Sequence, residues 1–203
     1  MRSNKKAAIR EMAFKLFLTK DYSTVPLAEI EQNLNLSRGA MAYHYRSKQK
    51  LFIDVIDYYI FNKQEVEYKI KDATDKTLLE FIDYYINAVA NTMKEMKKYL
   101  ATDENTNITR AYMNLILQAE RFYPGFNAAF NNITNDEIQL WKNVILKAVL
   151  AKEIKDSIDP DVLALTFRIM LFGKCFQDAL ISGLHIEELR VVLHQLYELI
   201  RIK

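Results

Sequence analysis

The chain has 203 residues, half of them hydrophobic, with 28 Lys/Arg against 26 Asp/Glu and only four glycines and three prolines. So little glycine and proline excludes a turn-rich β-sandwich, a collagenous repeat and a Gly-looped nucleotide fold. Charges interrupt every apolar run, which excludes an ordinary membrane-spanning helix. A single Cys175 leaves no intrachain disulfide, and the opening residues form no secretory apolar run, so a cytoplasmic location is expected.

The net charge of +2 is unevenly spread: residues 1–50 hold ten Lys/Arg and four Asp/Glu, or +6, and the remainder carries −4. A basic quarter on a mildly acidic body suits a module that meets a polyanion.

Helical periodicity runs from end to end. Ile9, Met12, Ala13, Leu16 and Phe17 recur every three or four residues and predict a first helix from Asn4 to Thr19. Pro26 suits the first turn of a second helix carrying Leu27, Ile30 and Leu34. Asn35 tolerates a left-handed turn, and Ser37 is a good N-cap for a third helix from Arg38 to His44. Two short helices joined by Asn35-Leu36-Ser37 form a helix-turn-helix unit. Its core claims Leu27, Ile30, Leu34, Leu36 and Met41 and leaves Arg38, Gly39, Ala40, Tyr43 and His44 outward. A fourth helix is expected after Ser47, reaching Ile70. Further helices are expected over 78–100 and 108–122, over 126–154 as one helix or two, from Asp159-Pro160 to Ser182 with Gly183 as cap, and over 187–202. The fold class is therefore all-α, with an N-terminal three-helix head of helix-turn-helix type (1–47) on a larger helical body (48–203).

The run from Ser37 to Phe52, SRGAMAYHYRSKQKLF, resembles the signature of the TetR family of bacterial transcriptional repressors. Phe17, Tyr22 and Leu27-Ala28-Glu29-Ile30 fall where that family places them, and the likeness covers about 50 residues. Ala42 stands in place of a customary Tyr, Glu31 of a small Ala, and Asn35 of the turn Gly. The resemblance implies a homodimer whose heads enter successive major grooves of a palindromic operator, released by a small apolar or aromatic effector. Carried over by position, Arg38, Gly39 and Ala40 reach base edges, while Tyr43, His44 and Lys48 meet the backbone. Thr24 and Ser37 flank them.

In the body, the last two helices carry more apolar surface than one neighbour can cover, and are expected to form a four-helix seam with a second copy. Gly173, inside the penultimate helix, is expected to mark a close helix approach. Phe81, Tyr85, Tyr112, Met113, Phe122, Trp141, Phe172 and Phe176, with the amides of Asn87, Asn91, Asn114 and Gln118, are candidates to line an effector pocket. No phosphate loop, nucleophile elbow or His-Glu-x-x-His motif is found, so neither catalysis nor a cofactor is expected. His194 and Glu198 lie four apart but are too few for a metal site, and Cys175 is read as an inert apolar residue. Two other readings remain: a helical interaction protein that no longer reads DNA, suggested by Ala42 and Glu31, and a helical enzyme or small-molecule carrier, suggested by the aromatic body.

Overall fold

The computed structural model describes residues 2–62, 75–100 and 107–202, with side chains from Lys5 onward. Among these, nine α-helices follow one another: α1 (Arg2–Thr19), α2 (Leu27–Asn33), α3 (Arg38–His44), α4 (Lys48–Ile56), α5 (Leu78–Lys97), α6 (Ile108–Phe122), α7 (Phe126–Leu150), α8 (Pro160–Ala179) and α9 (Ile186–Ile200). A 3-10 turn, Tyr22–Thr24, links α1 to α2. The extended pairing among the described residues is one isolated bridge, Ile154 to Arg201. None of the described helices is long and apolar enough to cross a membrane.

The chain forms two compact units. The described residues of the first are 2–62, 98–100 and 111–130; those of the second are 75–97, 107–110 and 131–202. In the first unit α1 packs on α4 and α2. Its buried stripe is Ile9, Ala13, Phe14, Phe17 and Leu18, one position round from the expected stripe, because Phe14 stacks on Tyr59 at 3.8 Å while Met12 and Leu16 stay half-buried. Phe17 meets Phe52 of α4 edge-on at 5.1 Å.

The fourth helix differs from the expected single rod. After Ile56 the backbone widens into a π-helical segment over Asp57–Phe61, closed by the Asn62 amide on the Asp57 carbonyl. The extra residue per turn turns Tyr59, Ile60 and Phe61 inward as three consecutive buried side chains, which an α-helix cannot do on one narrow face. The expected continuation to Ile70 lies outside the described residues.

The second unit is a helical core around Trp141, whose indole stacks on Phe167 at 4.6 Å and meets Phe81 edge-on at 4.7 Å. Leu163, Leu189, Leu193 and Ile200 of α8 and α9 close it. The helix starts follow from the sequence. Thr77 and Glu80 form a reciprocal capping box on α5, whose Leu78 and Leu79 amides also donate to the Glu153 carboxylate at 3.0 and 3.2 Å. Asp159 caps α8 through the Asp161 amide, with Pro160 at its first position. α8 ends at Ala179 with Leu180 as its cap, three residues before the expected end at Ser182, and Gly183, at φ +100°, lies in the turn that follows, where its amide donates to the Asp178 carbonyl.

Asp178 organises the turn between α8 and α9: its buried carboxylate accepts the His185 amide at 2.8 Å and the Lys174 ammonium at 2.7 Å. Burial alone would raise its pKa, but these two bonds hold it below the ordinary carboxylate value. The close approach expected at Gly173 is not made by any of the described residues. A Cβ there would meet none of their atoms within 4 Å.

Candidate nucleic-acid interface

The turn before α3 is built by Asn35, at φ +50°, and by Ser37, whose Oγ accepts the Ala40 amide at 3.2 Å. Inward, α3 is fixed by Met41, which is 1% exposed, and just past its end by Tyr45, whose hydroxyl donates to Asp54 at 2.7 Å. Burial first, and then the neighbouring carboxylate, push the Tyr45 phenol far up, so it stays protonated. With these two inside, Arg38, Gly39 and Tyr43 are exposed, and Ala40 and His44 are half-buried. Tyr43 is 65% exposed and meets the His44 ring edge-on at 5.3 Å. Arg38 makes no hydrogen bond or ion pair with the described residues. None of the described residues lies within 4 Å of a Cβ placed on Gly39, so no contact among them demands a glycine there.

Charge in this unit divides into neutralised and unpaired cations. Lys6 and Arg10 share Asp54 at 3.2 and 3.4 Å, Lys15 pairs with Glu11 and Lys20 with Glu29. Lys5, Arg38, Arg46 and Lys50 are exposed and have no ion pair among the described residues. Thr24, also exposed, spends its hydroxyl on the Asp21 carbonyl at 2.8 Å. Lys48 is only half-exposed. Its ammonium donates to the carbonyls of Tyr22, Val25 and Ser23 at 2.7, 3.0 and 3.3 Å.

Residues 9–55 match the model of the bacterial regulatory proteins of the tetR family. Over that stretch the chain is similar to the family's N-terminal domain. An uncharacterized HTH-type transcriptional regulator of Bacillus subtilis, YerO, is 22% identical over 129 residues, which cover 60% of this chain and 45% of that relative; the match therefore spans less than half of the relative's length. A putative transcriptional regulator from Saccharomonospora viridis, solved in complex with choline, superposes with a TM-score of 0.71 at 18% identity, covering 99% of this chain and 100% of that one. A TetR-family regulator from Cytophaga hutchinsonii gives 0.71 at 15% identity over 98% and 96%, and Escherichia coli NemR in its reduced form gives 0.69 at 12% over 98% of each. At these identities the structures establish the shared fold.

The pocket candidates do not share a unit. Tyr112, Met113 and Phe122 belong to the first; Phe81, Tyr85, Trp141, Phe172 and Phe176 belong to the second. Phe81 and Trp141 are fully buried against each other, whereas Phe176 is 60% exposed. Tyr85 donates to Glu137, which also pairs with Arg168 at 3.4 Å, and the Arg168 guanidinium lies 4.3 Å from the Phe172 ring centre. This half-buried ion pair escaped the sequence reading. Its signal was there: a lone arginine within the apolar run of α8.

A cavity of about 340 Å³ opens in the first unit, lined by Leu18, Thr19, Lys20, Asp21, Asn114, Leu117, Gln118 and Arg121. None of the eight aromatic and methionine candidates lines it; the amides of Asn114 and Gln118 do. Among the described residues no group of three His, Cys, Asp or Glu is placed to hold a metal.

Proposed function

We propose that this chain is a ligand-responsive, DNA-binding transcriptional regulator acting as a homodimer, in the repressing sense usual for its family. The head is residues 1–47 and the body 48–203. The reading rests on one observation above all: α3 keeps Met41 and the adjoining Tyr45 inside and presents Arg38, Gly39 and Tyr43 to the outside, with a glycine that no contact among the described residues requires. A glycine near a helix start costs up to ~1 kcal/mol relative to alanine and is repaid where another surface must come close. Arg38 suits guanine O6 and N7, and the Ala40 methyl suits a thymine methyl. Tyr43 and His44, with Thr24 and Ser37 at the flanks, suit sugar and phosphate.

Dimerisation through α8 and α9 is supported by their uncovered apolar faces. Val162, Leu165, Ile169, Phe176 and Leu180 stand exposed on α8, and Val191, Val192 and Leu199 on α9. Those on α8 repeat every three, four or seven residues, and Val192 and Leu199 on α9 lie seven apart, the spacing of a helix-packing seam. Effector binding draws support from a regulator of the same fold that was solved with choline. Trp141 and Phe172 lie beside the polar cluster of Tyr85, Glu137 and Arg168, and an aromatic or apolar effector carrying one polar group would suit that chemistry. A mobility shift of DNA flanking the chain's own gene, at low and then rising salt, tests the reading. A retarded band that competitor of random sequence cannot remove is expected; no band even at low salt would refute it.

A further inference from the structure

We propose that Lys48 is a positioning residue for DNA binding and not a phosphate contact, and that Gln118 braces the same turn from its other side. An ammonium has three hydrogens to donate. At Lys48 three carbonyls already lie within reach, those of Tyr22, Val25 and Ser23, and the Tyr22 ring centre is 4.4 Å away. A phosphate could be gripped only by breaking charge-assisted bonds that hold the chain to itself.

Tyr22 is where the elements of the first unit converge. Its carbonyl is held by Lys48, the first residue of α4, and its amide donates to Gln118 Oε1 of α6 at 2.6 Å. Its ring packs against Phe17 of α1 at 5.7 Å, Phe52 of α4 at 4.7 Å and Phe122 of α6 at 4.5 Å. Gln118 is buried, 8% exposed, and its amide nitrogen reaches the Phe17 carbonyl at 3.5 Å. A buried glutamine survives in such a place only when its polar atoms are spent, and both are spent on the backbone leading into the turn. Because three residues (Tyr45, Arg46 and Ser47) join α3 to α4, a shift at the start of α4 is passed directly to the recognition helix. Lys48 and Gln118 therefore act through the Tyr22 turn on the presentation of Arg38 and Tyr43. The inference rests on the DNA-binding reading above.

The test uses the full chain and a 40-base-pair duplex of random sequence, with affinity measured by fluorescence anisotropy across a salt series. Failure of the wild type to bind at low salt would sink the DNA-binding reading itself, so the two failures are separable. Lys48→Met keeps the stem and removes the donors; Gln118→Met removes the acceptor for Tyr22; Gln118→Glu retains it. Both methionine variants should bind about tenfold more weakly, the order expected for losing hydrogen bonds of this kind, with the slope of log affinity against log salt unchanged. Gln118→Glu keeps the acceptor for the Tyr22 amide but loses the donor to the Phe17 carbonyl, so it too should bind more weakly than wild type. Hydrogen exchange at the Tyr22 amide should quicken in both methionine variants. A slope flattened by about 0.9 per head in Lys48→Met is the signature of a lost phosphate contact and overturns the assignment. Wild-type exchange at Tyr22 in that variant overturns it too. Should Lys48→Met fail to fold, Lys48→Gln, which keeps a donor toward the carbonyls, serves the same comparison.

Discussion

Phe176→Ala is the most direct probe of the seam formed by α8 and α9. Phe176 is 60% exposed, and a phenylalanine presents roughly 150–250 Å², so about 120 Å² of ring is available to a partner. Retaining the Cβ leaves a loss of ~80 Å², or ~2 kcal/mol per copy at ~25 cal/mol/Å². A two-fold axis counts it twice, giving ~4 kcal/mol and a rise of about a thousandfold in the dimer dissociation constant. The separated subunit loses far less, because most of that ring touches only water in a single copy. Sedimentation velocity from nanomolar to tens of micromolar measures both quantities in one series. Wild type should remain dimeric over concentrations where Phe176→Ala dissociates, with unchanged helicity. A wild-type monomer at micromolar concentration, or a variant with an unaltered dissociation constant, would refute the seam.

Arg38→Ala should relax preference at one base pair of a selected operator by ~1–3 kcal/mol and leave the other positions intact, readable from binding to a set of single-base operator variants. Equal losses on operator and random DNA would contradict a base contact. Gly173→Ala adds a Cβ that meets none of the described residues, so an isolated subunit should gain up to ~1 kcal/mol of stability from helix propensity; in the dimer the same Cβ should weaken association if the partner helix comes close, and calorimetry in a Phe176→Ala background separates the two effects. Asp178, held below the ordinary carboxylate value by His185 and Lys174, contributes stability that is present above its unfolded pKa and is lost as pH falls through the folded one. Acid below about pH 4 should therefore loosen the turn between α8 and α9 first, while Asp178→Asn should flatten that part of the stability–pH curve. Thermal unfolding of both proteins between pH 3 and 7 provides the comparison.

Much of the fold could be read from local chemistry. Helix starts at Ser37, Ser47 and Asp159 and the left-handed Asn35 each depend on a residue and its nearest neighbours, and each stands where the pattern placed it. The outward residues of α3 were legible for a related reason: with Met41 and Tyr45 taken inside, few orientations remain for a seven-residue helix.

Periodicity fixes which face of a helix is apolar, but not what covers it. That is why α1 turned by one residue to stack Phe14 on Tyr59, and why α4 opened into a π segment to bury Tyr59, Ile60 and Phe61 together. The aromatic residues looked alike along the sequence, yet the fold made Trp141 and Phe81 solid core, left Phe176 uncovered and placed Tyr112 and Phe122 in the other unit. The partners of Lys48 and Gln118 were beyond any sequence argument, because their bonds join residues 23 to 101 positions apart. Such contacts are decided by which helices meet when the chain is packed, whereas a cap or a turn is decided within a few residues of itself.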